Sequence, residues 1–299
     1  MSGAVIGLVL VSAVMHAVWN LLVRGRGDKQ TMVYRMLLII AFGGLVPSVI
    51  SEWTARSMTP TLWLIAAGAG VANGLYYVCM ARSLAAADFG TVFPIIRGLP
   101  VVLIALGDVA MGRPPSPVGW LALLMVTGGC TLTPQESFGS LSHHHYWRRS
   151  SLWMLAAAAC AVGYTIPDKL AMDLIRGDAQ MAVGSALRYQ YFHLVASMLT
   201  VAVVGRRMRT RAAAAGESKL VGWAIPALAA ALNFSAYSMI LVCYQRVAQA
   251  GYVWGMRQFS IVIGVVLAFV VFKERGRAVR LTGAVLITVG MVLIALFVK

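Results

Sequence analysis

Ten long apolar runs, joined by mostly short polar connections, account for nearly all of this 299-residue chain. They fall at 3–23, 31–51, 61–81, 89–110, 117–134, 151–170, 179–204, 221–244, 251–272 and 279–298. An α-helix needs about 20 apolar residues to cross the hydrocarbon core of a bilayer. Inside that core the backbone must satisfy its own hydrogen bonds, which leaves helices and closed barrels as spanning structures. The pattern predicts an all-α integral membrane protein with ten transmembrane helices. Composition agrees: 60% of residues are apolar, 12% are charged, and the mean hydropathy is +0.80. An ordinary soluble domain has about 45–50% apolar and about 25% charged residues, so a soluble enzyme is excluded.

The net charge of +15 would suggest nucleic acid in a soluble chain. Here the basic residues sit in short loops between apolar runs, as the positive-inside rule expects, and no nucleic-acid partner is implied. One side of the ten-span arrangement holds 15 Lys and Arg, the other holds 6, and Arg35, Arg97, Arg188 and Arg257 fall within spans. The charge-rich side is expected to be cytoplasmic, with both termini outside. Cys79, Cys130, Cys160 and Cys243 lie in apolar runs without CxxC spacing, so they read as small core residues. The first run carries His16, Trp19 and Asn20 and has no basic segment before it, which suits a membrane helix rather than a cleaved signal peptide.

The chain also resembles itself. At a shift of 160 residues Trp63 meets Trp223, Asn73 meets Asn233, Tyr77 meets Tyr237 and Arg97 meets Arg257. At a shift of 145, Trp19 meets Tyr164 and Arg24 meets Lys169. Such residue types are scarce in membrane spans, so their coincidence carries more weight than matched Ile or Ala. The expected organisation is a five-helix repeat over 1–134, a connecting loop over 135–150, and a second repeat over 151–299. Five is odd, so the second copy enters the bilayer from the opposite side. Inverted repeats with a site between them characterise secondary transporters that work by alternating access.

Several clusters resemble the drug/metabolite transporter superfamily, in its EamA-like ten-helix branch. They are His16-Ala17-Val18-Trp19-Asn20 with Asp28-Lys29, the stretch Asp88 to Pro100 around Arg97, and Tyr164-Thr165-Ile166-Pro167-Asp168. Met256-Arg257, Lys273-Glu274-Arg275, Gly283 and Gly290 complete the set. The resemblance implies a multi-pass transporter of small metabolites in a cell membrane, the bacterial inner membrane being expected, without an ATPase domain. Export is the favoured direction, and a lipid-linked sugar flippase of the same superfamily is the alternative. The resemblance also implies cytoplasmic termini, against the charge count.

Arg97 and Arg257 are the foremost site candidates. An arginine inside a span costs at least about 2.5–3.5 kcal/mol and must face a partner or a watery cavity. Pro94 and Pro100 flank Arg97 and are expected to kink or unwind its helix. Arg97 either contacts substrate or staples helices through a static ion pair. Asn73 with Tyr77, and Asn233 with Tyr237, share helix faces at i and i+4; they serve a polar substrate or hydrogen-bond neighbouring spans. Gly70 and Gly74 form a packing seam. His16, beside Trp19 and Asn20, either relays a proton, the candidate coupling ion, or is a packing residue. Arg188 and Tyr189 sit deep enough to reach a central cavity, with His193 a lesser candidate. Asp168, at the end of its span near Tyr164, is expected to form an ion pair with Arg257 that closes the outer mouth.

His143, His144 and His145 cannot all reach one ion from regular structure, so the loop reads as solvated and no metal is expected. Neither a P-loop, nor GxSxG, nor HExxH is present, and no cofactor is expected. The remaining class, an integral-membrane enzyme, would want clustered carboxylates or histidines at one depth, whereas the chain has 10 acids, almost all near span ends. The implied partners are the lipid bilayer, a small-molecule substrate and, as a homodimer, a second copy of the chain.

The orientation is testable. In a background without native cysteines, Ser2→Cys is expected to react with an impermeant thiol reagent in intact cells and Ala213→Cys to be protected. The opposite pattern reverses the assignment.

Overall fold

The computed structural model describes all residues except 25–28, 87–88, 134, 136, 138–148, 176–181, 207–221, 271–276 and 299. The three consecutive histidines, Asp28, Asp88, Lys273-Glu274-Arg275, most of the 135–150 connection and most of the basic 205–219 loop lie outside the described residues. The described residues are helical or in short connections, with no strand among them. The helices are α1 (Gly3–Arg24), α2 (Lys29–Gly43), α3 (Leu45–Ala55), α4 (Pro60–Ala86), α5 (Phe89–Ala110) and α6 (Pro117–Leu132). They continue as α7 (Arg149–Ile175), α8 (Ala182–Val204), α9 (Ala224–Tyr244), α10 (Ala250–Arg257), α11 (Phe259–Val270) and α12 (Arg277–Phe297).

Each apolar run of the sequence falls on one helix or one consecutive pair, the pairs being α2–α3 and α10–α11. Helices α1, α4, α9 and α12 are each long and apolar enough to cross a membrane, and the α2–α3 pair, bent by 48°, makes a fifth candidate. The bend at Gly44 has a steric cause. A Cβ there would lie 2.8 Å from the Tyr191 ring and 2.9 Å from the Ile40 carbonyl, so only glycine lets the chain press against α8. The Tyr191 hydroxyl fastens the contact by donating to the Ala41 carbonyl at 2.7 Å.

Polarity is inverted relative to a water-soluble protein. Trp53, Leu64 and Val203 are 78%, 76% and 76% exposed, whereas Asp168, Lys169, Gln190 and His193 are fully buried. An apolar exterior over a polar centre suits a helix bundle bathed in lipid.

Helix neighbours follow a pattern. Helix α1 lies along α9 as α7 lies along α4, and α5 meets α7 as the α10–α11 pair meets α1. Helix α5 meets α6 as α11 meets α12, and α2 meets α9 as α8 meets α4. The contacts α6 with α12, α2 with α8 and α5 with α10 join the two sets directly. The closest approaches run over glycines. A Cβ on Gly129 would lie 2.5 Å from the Gly283 carbonyl of α12, and one on Gly290 would lie 2.6 Å from the Ala122 carbonyl of α6. On α4 the expected seam faces α8: a Cβ on Gly70 would meet the His193 carbonyl and lie 2.6 Å from Ala196 Cβ, and one on Gly74 would lie 2.5 Å from Thr200 Cβ.

The prolines about Arg97 do not unwind their helix. Helix α5 runs without interruption from Phe89 to Ala110, and the break occurs at Gln258, directly after Arg257. Proline tolerates a helix when neighbouring packing holds the segment. At Gln258 the N–H turns back to the Gly255 and Met256 carbonyls, a tightened last turn that ends α10 without any proline.

Gly70→Leu is therefore expected to lower the yield of monodisperse protein in detergent sharply, by overpacking that costs about 1–3 kcal/mol or more. Gly68→Leu, on the same helix with nothing within 4 Å of its Cβ, is the matched control and should behave as the parent in size-exclusion chromatography.

Candidate functional site

The polar centre has two nodes. The first is Asp168 on α7. Its Oδ1 accepts from the Tyr189 hydroxyl at 2.6 Å and from His193 Nδ1 at 3.0 Å, and its Oδ2 accepts a short hydrogen bond from the Tyr237 hydroxyl. An ionised carboxylate only accepts, so His193 carries its proton on Nδ1 and offers Nε2 as an acceptor. Asn73 donates to it from α4, its Nδ2 lying 3.1 Å from His193 Nε2. Asp168, Tyr189 and His193 are fully buried, and Asn73 and Tyr237 nearly so. Tyr189 and His193 are one turn apart on α8, so a single helix face supplies two of the three donors.

The second node is basic. An Arg257 terminal nitrogen lies 3.0 Å from His16 Nδ1, and Trp19 Nε1 donates to the same atom at 2.9 Å. Guanidinium and indole are donors only, so His16 Nδ1 is unprotonated and the imidazole is held neutral. The Arg257 guanidinium stands 5.5 Å from the Tyr237 ring centroid and 5.7 Å from that of Trp254, both within cation–π range. Arg97, 9% exposed, lies within electrostatic reach of Arg257, Tyr76 and Tyr164, and His16 within reach of both arginines. Tyr164 joins the nodes: its ring packs 6.3 Å from both His193 and Tyr237, 6.2 Å from Trp254 and 5.8 Å from Tyr76.

The structure thus gathers His16, Trp19, Asn73, Tyr164, Asp168, Tyr189, Tyr237, Arg97 and Arg257 into one centre. Asn233 and Tyr77 stand at its side, the Asn233 amide donating to the Tyr77 hydroxyl at 3.5 Å. Asn20 turns inward on its own helix, donating to the His16 carbonyl at 2.7 Å.

Two expectations are corrected. Asp168 and Arg257 do not form an ion pair. Asp168 lies buried in the bundle rather than at an outer mouth, its oxygens are taken by three other donors, and Tyr237 stands between the two residues, its hydroxyl meeting one and its ring facing the other. Arg188 does not enter the centre although Tyr189 does. It pairs with Glu52 of α3 at 3.2 Å and donates to Ser57, Ser51 and Ser185 at 2.8, 2.9 and 3.0 Å. Adjacent helical residues point about 100° apart, so one side chain can face the centre while its neighbour faces α3. Lys169, next to Asp168 in the chain, pairs with Asp173 at 2.5 Å and donates to the Tyr244 carbonyl at 2.9 Å.

Sequence reasoning passed over four contributors. Tyr76 and Trp254 line the centre; a signal existed, since Trp254 is one turn before Arg257 and Tyr76 adjoins Tyr77. Tyr244 lies within electrostatic reach of Arg257 and Asp168. Asp108 acts from a distance: its carboxylate accepts from the Ala250 and Gly251 amides at 3.0 and 2.7 Å, capping the α10 N-terminus from α5. That cap opposes the positive end of the helix macrodipole and fixes the short helix whose last residue is Arg257. Nearby, Arg113 pairs with Asp173, drawing the end of α5 to α7.

Residues 3–133 match the profile of the EamA-like transporter family. The match agrees with the resemblance to the drug/metabolite transporter superfamily, and the matched family is one of membrane transporters rather than enzymes. No curated protein matches the chain. Among solved structures, one described only as "Crystal structure of protein" is similar in fold, with a TM-score of 0.64 and 14% identity over 97% of this chain and 95% of the other. These findings support a multi-pass, membrane-embedded helical protein.

The Arg188–Glu52 contact is structural by its position, and a double-mutant cycle reads that out. Glu52→Gln and Arg188→Gln should each lower stability by about 1–3 kcal/mol. The double variant should lose little more than either, giving a coupling of about 1–3 kcal/mol in thermal unfolding. Additive losses would mean that the pair contributes nothing as a pair.

Proposed function

We propose that the protein is a secondary transporter of a small polar or amphipathic metabolite, exporting it by alternating access about the buried polar centre. In this reading ten spans form two inverted five-helix repeats, 1–134 and 151–299, with both termini outside. The observation that carries it is the placement of the polar residues. Arg97 and Arg257, equivalent at a shift of 160, converge within electrostatic reach of each other from different halves. Around them stand side chains from α1, α4, α7, α8, α9 and α10, most of them near the middle of their helices. A fixed central site reached from both halves is what alternating access requires.

The helix contacts support the same reading. Exchanging the first five runs for the last five maps α1–α9 onto α7–α4 and maps α6–α12, α2–α8 and α5–α10 onto themselves, as a two-fold axis in the membrane plane would. The family match ends at residue 133, and the repeated Trp, Asn, Tyr and Arg extend the likeness into the second half. Glycine seams between α4 and α8 and between α6 and α12 allow close, smooth contact between helices from opposite halves, along which a rocking motion can proceed.

The test begins with a thermal-shift screen of purified protein against small metabolites, since a ligand that binds the native state stabilises it by mass action. A stabilising compound should be taken up by proteoliposomes containing the protein. Arg97→Ala should abolish that uptake with little loss of folded protein, and Arg97→Lys should retain only part, because an ammonium cannot reproduce the forked contact of a guanidinium. If Arg97→Ala fails to accumulate in the membrane, Arg97 is a helix staple and its assignment to the site falls.

A further inference from the structure

The acceptor that faces Arg257 is His16 Nδ1, which it shares with Trp19. Four carboxylates occur among the described residues, and each is committed elsewhere. Glu52 holds Arg188, Asp173 holds Arg113 and Lys169, Asp108 caps α10, and Asp168 is occupied by Tyr189, Tyr237 and His193. Arg257 is 5% exposed, and its polar neighbour is a neutral imidazole. Its Nε has no hydrogen-bond partner, nor has Nε1 of the fully enclosed Trp254 beside it, nor the Tyr244 hydroxyl. Arg97 brings a second positive charge into range.

A buried charge is tolerated when it is paired, and a buried donor when it has an acceptor. A neutral carbonyl would satisfy the donors and leave the charge. A cation would be repelled by two guanidiniums. A group that only accepts and that carries negative charge meets both needs, and a guanidinium binds planar oxyanions through two of its N–H groups. We propose, resting on the transporter reading, that Arg257 and Trp254 bind an oxyanion with Arg97 as the second charge. The substrate is then an organic anion bearing a carboxylate or a phosphoryl group. The rings of Tyr76, Tyr164 and Tyr237 supply walls for its apolar part.

The full-length protein in nanodiscs tests this by thermal shift with four probes that share a phenyl ring: phenylacetate, phenyl phosphate, phenylacetamide and 2-phenylethylamine. At least one of the two anions should stabilise the protein, and which one does so separates carboxylate from phosphoryl recognition. The amide should bind roughly tenfold more weakly and the amine should not bind. Trp254→Phe keeps the ring and removes only the N–H, and should weaken anion binding roughly threefold to tenfold. Arg257→Gln should weaken it roughly tenfold to a hundredfold, with Arg97→Gln as the alternative if that variant does not fold. Stabilisation by the amine or amide at least equal to that by the anions overturns the proposal, as do anions without effect on the parent or with undiminished effect on the variants. Uptake of the radiolabelled anion into proteoliposomes is the separate check. Binding without uptake removes the transporter reading and leaves the oxyanion site standing.

Discussion

A carboxylate withdrawn from water costs several kcal/mol unless other groups replace its hydration, and the centre of this bundle is organised around that demand. Asp168 is fully buried and receives donors from Tyr189 and His193 on α8 and from Tyr237 on α9. Because the donors belong to different helices, the carboxylate sets α7, α8 and α9 relative to one another. His193 passes the constraint to Asn73 on α4, and the Tyr237 ring passes it to Arg257 on α10. Hydrogen-bonded chains of this kind polarise one another in a low dielectric, so the network acts as a unit.

The helix ends meet a different requirement. Charges toward the helix ends pair locally, as Arg113 and Lys169 do with Asp173 and Arg188 with Glu52. These contacts draw α5, α7 and the end of α9 together at one end of the bundle, where Asp108 caps α10. A short helix held firmly at its N-terminus presents its last residue in a defined place, and that residue is Arg257. The favourable field at a helix C-terminus further suits a cation there. Arg257 there faces His16 and the rings of Tyr237 and Trp254 rather than a carboxylate.

Much of the architecture was legible because its causes are local. The length and polarity of the apolar runs mark helices wherever lipid must be faced, and the structure places a helix or helix pair on each. The GxxxG of Gly70 and Gly74 announced a close seam, since a missing Cβ is a property of the residue itself. The two breaks were less legible. Pro94 and Pro100 suggested one in α5, which runs on as one helix, whereas the chain bends at Gly44, where a Cβ would strike the Tyr191 ring of α8.

The sequence by itself determined which side chains are too polar to face lipid: His16, Asn73, Arg97, Asp168, Arg188, Asn233 and Arg257 had to turn inward or find partners, and the repeat at 160 residues marked several of them as equivalent. Which of them meet was decided only by tertiary structure. His16 and Arg257 are 241 residues apart and Tyr77 and Asn233 are 156 apart, and no spacing rule reaches across such distances. Two neighbours such as Arg188 and Tyr189 part company because the helix turns about 100° between them. The same rotation sends Asp168 into the bundle while Lys169 turns to Asp173, since a side chain's partner depends on which helix lies against its face.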